Sequence, residues 1–179
     1  MTDPDEYSLD VLTSLLNSFG GRLFNTIRSR EGLAYSVSGG WVSTPLDHPG
    51  LFLATAETAQ PGALLRALRA ALEGATAEGP TPEELARARE ESANSFVFNF
   101  VSKGAQLQRA AVFDLLGLPQ DYLFRYKAGV EEVTAEGVLA AARRRLHPAQ
   151  QTVVVMGDAA KLRGQLLELG LPLEELELR

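Results

Sequence analysis

The sequence has no cysteine and only two histidines in 179 residues. Without cysteine the chain can form no disulfide, no thiolate nucleophile and no thiolate metal site. His48 and His147 are far apart, and neither has a second histidine four residues away, the spacing that places two zinc ligands on one helix face. Motifs for a serine-nucleophile elbow, a phosphate-binding loop and a dinucleotide-binding turn are also absent.

Basic residues are too few for a general nucleic-acid-binding protein, because the formal net charge is −6 and phosphate contacts need a positive surface. The run Arg143, Arg144, Arg145 is therefore predicted to be a solvated helix face rather than a phosphate site. No apolar run reaches the roughly 20 residues that span a bilayer, and the acidic start MTDPDEYSLD is unlike a signal peptide. We expect a soluble, cytoplasmic chain with no membrane partner.

The hydrophobic pattern predicts an α+β domain with helices packed on one face of a mostly antiparallel sheet. Apolar residues recur at helical spacing from Tyr7 to Leu16, and period-two alternation follows around Tyr35–Trp41 and 51–58, predicting a hairpin. A third strand is predicted at Thr152–Met156. The other segments favour helices, with Pro61, Thr81–Pro82, Lys103, Asp121, Thr134 and Leu162 as landmarks.

The chain is expected to be one domain over 1–170, followed by an acidic tail over 171–179. The segment Phe96–Val101 fits either a strand or a helix buried all round, since its periodicity does not decide between them. With three strands the predicted sheet has an unpaired edge, and a second copy of the chain could pair with that edge to form a homo-oligomer.

The stretch Gly20–Trp41 combines two glycines, a short helix with three arginines, and a strand. Gly32 is predicted to end the helix, and the interruption at Gly39 and Gly40 predicts a bulge or a close backbone approach. Gly20 and Gly21 could cradle an anion at the helix start, but a tight turn is the favoured interpretation. Four carboxylates further along are predicted to be solvated rather than acid or base catalysts: Glu83, Glu84, Glu90 and Glu91.

The motif FNTIRSREGLAYSV places Arg28 seven residues before Tyr35. Five further segments follow in a fixed order: DEYSLDVL before this motif, then TPEELARARE, LLGLPQDYLFRY, VTAEGVLAAARRRL and TVVVMGD. Together they resemble the C-terminal, non-zinc half-domain of the pitrilysin/insulinase family of zinc peptidases, which includes the mitochondrial processing peptidases. The sequence departs from the family pattern in its glycine-rich turn, NSFGGRL, which is one residue shorter and has Asn17 where glycine is common. It also lacks the strand that usually precedes the first helix.

This resemblance implies that Arg28 and Tyr35 bind an extended peptide substrate, while Gly20 and Gly21 form the glycine-rich turn. It also implies that zinc is held by a homologous H-x-x-E-H domain or subunit, with no metal and no catalytic residue in this chain. The chain is then expected to be inactive alone and to form part of a zinc metallopeptidase with that partner.

Two alternatives remain open from the sequence. The chain could be a catalytically inert scaffold or assembly subunit with the same fold, although such a subunit would not need Arg28 and Tyr35. It could instead be a self-contained hydrolase with a site built from His48, His147 and a carboxylate. Stoichiometric zinc in the isolated chain would support this second alternative.

Overall fold

The computed structural model describes residues 3–42, 50–118 and 121–176. Seven α-helices are described, namely α1 Glu6–Asn17, α2 Pro61–Ala77, α3 Pro82–Val97, α4 Lys103–Leu115, α5 Tyr122–Glu132, α6 Ala135–Arg145 and α7 Ala159–Leu167. A π-helix spans Phe24–Arg30, and a single 3₁₀ turn spans Phe98–Phe100. Strands β1 Val37–Val42 and β2 Leu51–Ala56 form an antiparallel pair, with Gly39 opposite Ala54. The fold is α+β, as predicted, with many helices and a small antiparallel sheet.

The first helix lies at the centre of the hydrophobic core. Val11, Leu12, Leu15 and Leu16 of α1 are buried, following the helical spacing of the sequence. This helix packs against β1, α3, α5 and α6. Leu23, just before the π-helix, and Ile27 within it belong to the same core. Helix α2 also packs against the π-helix. The arginine-bearing helix is therefore anchored on its inner side, while Arg28 and Arg30 remain exposed.

Two strand predictions need correction. Thr152–Met156 is unpaired within the described residues, and its Val154 and Met156 side chains are 79% and 82% exposed. An apolar run alone cannot make a strand, because a strand needs a neighbour for its backbone groups. Phe96–Val101 is helical, but Val97, Phe98 and Val101 are exposed, so it is neither a strand nor a helix buried all round.

The three arginines at the end of α6 are exposed, as predicted for a solvated helix face, and they also bind other parts of the chain. Arg144 and Arg145 both bind the buried carboxylate of Asp5, and Arg145 also binds Asp3 with an Nη2–Oδ2 distance of 2.6 Å. Arg143 donates to the carbonyls of the last residues of α2, including Thr76 at 2.9 Å. These contacts attach the first described residues and the end of α2 to α6. The guanidinium groups of Arg144 and Arg145 also hold the pKa of Asp5 below its usual value.

The start of α3 has a complete capping box. The Thr81 hydroxyl accepts a hydrogen bond from the Glu84 amide at 3.2 Å, and the Glu84 carboxylate accepts one from the Thr81 amide at 2.9 Å. Thr81→Ala is expected to lower the free energy of unfolding by about 1 kcal/mol, because it leaves the Glu84 amide without its cap. Urea unfolding measures the change.

The matched control is Glu83→Ala in the first turn of the same helix, where the exposed side chain takes no part in the box. This control is expected to stay within about 0.5 kcal/mol of the parent chain. Equal effects of the two substitutions would contradict a specific role for the capping box.

Candidate functional site

The glycine-rich turn between α1 and the π-helix is tight. Gly20 has φ +86°, a conformation that glycine adopts without steric cost, and its carbonyl accepts hydrogen bonds from Asn25 at 2.7 Å and Arg87 at 3.2 Å. A Cβ on Gly21 would lie 2.8 Å from backbone atoms of Leu16 and Ser18. The two glycines thus allow the chain to turn within a few residues into the π-helix, which packs against α2 and β1.

The π-helix ends where the sequence predicts, at Gly32 with φ +61°. The Glu31 amide donates to the Thr26 carbonyl at 3.2 Å, and the Leu33 amide donates to the Ile27 carbonyl at 2.9 Å. Leu33 and Ala34 then enter the core, which leaves Tyr35 just before β1 with its side chain pointing to solvent. The alternation in the sequence places Tyr35 in a strand, but β1 begins only at Val37 and Tyr35 is 82% exposed.

Arg28 lies between two aromatic rings. Its Cζ is 4.9 Å from the ring centroid of Phe24 and 4.9 Å from that of Tyr35. Phe24 also contacts Phe19, with 5.1 Å between their ring centroids. We call these four side chains, Phe19, Phe24, Arg28 and Tyr35, the aromatic row. Cation–π attraction fixes the guanidinium plane without using its N–H groups.

The polar groups of the row are available to a ligand. Within the described residues, Arg28 makes no hydrogen bond or ion pair and the Tyr35 hydroxyl has no partner. Phe19 is 88% exposed, although water disfavours a bare aromatic ring. The row therefore places hydrogen-bond donors next to apolar surface. This combination suits an extended peptide, whose carbonyl oxygens can accept from the donors while its side chains contact the apolar surface. The sequence analysis missed Phe24 and Phe19 as site residues. Their positions four and nine residues before Arg28 were the available signal.

Arg22, on the same segment, has a structural role. Its guanidinium binds both carboxylate oxygens of Glu84, at 3.0 and 2.9 Å, and donates to the carbonyls of Glu78 and Gly79. The Arg22 hydrogen bonds lower the pKa of Glu84, against the opposing effect of burial. Glu84 is therefore not simply solvated, as the sequence predicted, whereas Glu83, Glu90 and Glu91 are exposed.

Substitution of Arg22 should affect stability more than substitution of Arg28. Arg22→Ala is expected to lower the free energy of unfolding by about 1 to 2 kcal/mol, since the half-buried Glu84 carboxylate loses its guanidinium partner and two carbonyls lose the Arg22 donor. Arg28→Ala is expected to change it by less than about 0.5 kcal/mol, because its contacts are exposed. Urea unfolding of both variants tests the contrast, and a larger loss for Arg28→Ala would contradict this assignment.

The described part of the chain gives no sign of a metal centre. His147 is exposed just after α6, and His48 lies outside the described residues. Over 3–42, 50–118 and 121–176, no three His, Asp or Glu side chains come together in a way that could hold a metal ion. In the same ranges, no helix is both long and apolar enough to cross a membrane.

A family model decides where the chain belongs. Residues 1–92 match the model described as the peptidase M16 inactive domain. The chain belongs to the peptidase M16 inactive-domain family. The matched residues include the glycine-rich turn, Arg28 and Tyr35. Membership confirms the predicted relationship to the non-zinc half of these peptidases. No curated protein matches the chain.

Several solved structures share this fold. The peptidase M16 inactive domain from Pseudomonas fluorescens matches with a TM-score of 0.72 and 26% identity, over 82% of this chain and 35% of that chain. The inactive peptidase domain of a candidate zinc protease from Bordetella parapertussis matches with a TM-score of 0.67 and 26% identity, over 80% of this chain and 78% of that chain. A protease from Helicobacter pylori, at 19% identity and a TM-score of 0.66, shares the fold over 80% of this chain and 35% of its own. The chain thus spans about a third of two of these proteins.

Proposed function

We propose that this M16 half-domain is the peptide-holding, non-metal half of a zinc metallopeptidase. The observation that carries the proposal is the Arg28 guanidinium, which is held between Phe24 and Tyr35 while its N–H groups have no partner among the described residues. A zinc ion in a homologous H-x-x-E-H domain or subunit would activate the attacking water.

Arg28 and Tyr35 have the chemistry to hold a peptide carbonyl. The guanidinium offers a planar fork of donors, and the phenol offers a hydroxyl next to it. When water attacks the scissile bond, the carbonyl oxygen gains negative charge, so donors already in place bind it more strongly than they bind the ground state. The two rings keep the guanidinium plane fixed, which reduces the reorganisation needed as the charge develops.

The proposal assigns no acid, base or nucleophile to this chain, so the isolated chain should not hydrolyse peptides. The experiment mixes the purified chain with a zinc-bearing M16 half and follows cleavage of an internally quenched peptide, using the parent chain and variants at Arg28 and Tyr35. Cleavage in the mixture that depends on both side chains supports the proposal. Cleavage that ignores them favours an inert scaffold, and cleavage by the chain alone with stoichiometric zinc favours a self-contained hydrolase.

A further inference from the structure

Phe19 is the exposed, apolar end of the aromatic row. Its side chain is 88% exposed, and its ring contacts Phe24 with 5.1 Å between the centroids and 46° between the ring planes. Arg28 and Tyr35 provide hydrogen-bond donors at the other end of the row. An isolated exposed phenylalanine needs no explanation, but one that extends a row of donors can contact the same ligand as those donors.

The backbone on both sides of Phe19 is fixed by hydrogen bonds. The Ser18 amide donates to the Ser14 carbonyl at 2.9 Å, and the Gly21 amide donates to the Ser18 carbonyl at 2.5 Å. The Gly20 carbonyl accepts the two side-chain hydrogen bonds described above. The turn therefore holds Phe19 in an exposed position before any ligand binds, and a contact residue that is already ordered loses little conformational freedom on binding.

Distances within the row determine which part of a peptide could reach Phe19. The Phe24 ring centroid is 5.1 Å from that of Phe19 and 4.9 Å from the Arg28 Cζ, so Phe19 and Arg28 are no further apart than these two distances combined. Two residues of an extended peptide cover about 7 Å. When Arg28 holds a peptide carbonyl, a side chain one or two residues away can therefore contact Phe19.

The charges near Phe19 favour a neutral side chain. The Arg28 guanidinium lies over the Phe24 ring, and the Arg87 guanidinium donates to the carbonyl of Gly20, the residue after Phe19. These two cations would repel a lysine or arginine of the peptide, and a carboxylate would compete with the peptide carbonyl for the Arg28 donors. Aromatic rings attract one another in tilted and edge-to-face arrangements, so a further ring or a large aliphatic side chain suits the exposed part of Phe19.

We propose that Phe19 is a specificity-determining residue. Together with Phe24 it binds a large apolar or aromatic side chain of the peptide, one or two residues from the carbonyl that Arg28 holds. This inference rests on the proposed peptide-holding function and adds a substrate class to it. Arg28 and Tyr35 bind main-chain groups that every peptide has, so they do not distinguish one sequence from another, whereas Phe19 contacts a side chain.

A set of internally quenched peptides tests this subsite in the mixture of the chain with a zinc-bearing M16 half. One peptide has alanine at the two positions on each side of the scissile bond, and the others carry a single phenylalanine at each of these positions in turn. For at least one of them, the ratio of its kcat/KM to that of the alanine peptide should fall by about fivefold or more in Phe19→Ala. Phe19→Tyr keeps the ring and should keep the ratio.

Phe124→Ala is the matched control, because Phe124 is 82% exposed on α5 and lies outside the row. It should leave the ratios at their parent values, and an equal fall in this variant contradicts the subsite. Unchanged ratios in Phe19→Ala, while Arg28→Ala still slows every peptide, overturn the subsite and leave the peptide-holding function intact. If Arg28→Ala slows no peptide, the peptide-holding function fails, and the subsite that rests on it fails too.

Binding to the isolated chain gives a second measurement that depends on neither zinc nor catalysis. In a chain with ¹³C-labelled phenylalanine rings, the NMR signals of Phe19 and Phe24 should shift more with a phenylalanine peptide than with the alanine peptide. The Phe124 signal should stay in place. Equal shifts with the two kinds of peptide, or no shift at Phe19 with any of them, overturn the proposal.

Discussion

Arg28→Ala is expected to lower kcat/KM for peptide hydrolysis by about 100-fold or more when the chain works with its zinc-bearing partner. The reason is geometric. The guanidinium is fixed by two rings, each 4.9 Å from its Cζ, so its donors are aligned before the carbonyl oxygen becomes charged. Most of the loss should appear in kcat, because interactions that strengthen in the transition state lower the barrier for the bound substrate.

Tyr35→Phe separates the two functions of the tyrosine. This variant keeps the ring that stacks on Arg28 and removes only the hydroxyl, so any loss in kcat/KM reports the missing donor. Arg30→Ala is the matched control, since Arg30 lies on the same helix and is exposed. It removes one positive charge without touching the aromatic row, and kcat/KM should remain near that of the parent enzyme.

The pattern of rates can contradict the proposal in two ways. If Arg28→Ala and Tyr35→Phe leave kcat/KM at the level of Arg30→Ala, the row is not used and an inert scaffold is the better description. If KM rises while kcat is unchanged, the two side chains hold substrate and transition state equally, and the charge-stabilising role is wrong. Steady-state kinetics with one internally quenched peptide distinguishes these outcomes.

Local signals in the sequence located most of the helices and the hairpin. Thr81, Ser102 and Thr134 each accept a hydrogen bond at the start of a helix, and Gly32 ends the π-helix. Such features depend on a few neighbouring residues, so composition and spacing reveal them. The close approach predicted at Gly39 and Gly40 is also confirmed, because side chains of α1 and Leu23 occupy the space that a Cβ would take.

Such local signals did not predict the roles of the charged residues. Arg22, Arg28 and Arg30 lie on one short segment, yet Arg22 binds Glu84 of α3, Arg28 stacks on aromatic rings and Arg30 is exposed. Arg144 and Arg145 bind acidic residues about 140 positions away. Long-range partners depend on how helices pack, and helical spacing alone carries no information about them. The same reasoning explains Thr152–Met156, whose strand-like composition lacks a neighbouring strand among the described residues.

A half-buried polar cluster joins α1 to α5 and should make stability depend on pH. Asp10 accepts a hydrogen bond from the Tyr126 hydroxyl at 2.9 Å, and Glu6 accepts one from Tyr122. Burial raises the pKa of Asp10 to about 6, with a smaller increase from the nearby Glu6, while the Tyr126 hydrogen bond acts in the opposite direction. Tyr7 of α1 and Ser92 of α3 complete the surroundings, and Ser92 hydrogen-bonds the Asp10 carbonyl.

Asp10→Asn is expected to raise the free energy of unfolding at pH 8 by about 1 to 3 kcal/mol and to have little effect at pH 4. The pKa of Asp10 is higher in the folded chain than in the unfolded one, so between about pH 4 and pH 6 the folded state binds more protons. Ionising Asp10 therefore lowers stability as the pH rises through this window, and the loss is complete above it. Asparagine has no charge to bury and can still accept the Tyr126 hydrogen bond.

Urea unfolding at pH 4, 6 and 8 measures this difference. Tyr126→Phe is the matched control, because it removes the hydroxyl that hydrogen-bonds the Asp10 carboxylate and keeps the ring that stacks on Phe96. Its cost should be larger at pH 8, where the carboxylate is ionised, than at pH 4. If Asp10→Asn changes stability equally at pH 4 and pH 8, the buried carboxylate does not titrate in this window. The pH dependence would then have to come from other groups, such as Asp5, whose lowered pKa stabilises the fold above pH 4 and whose contribution is lost in acid.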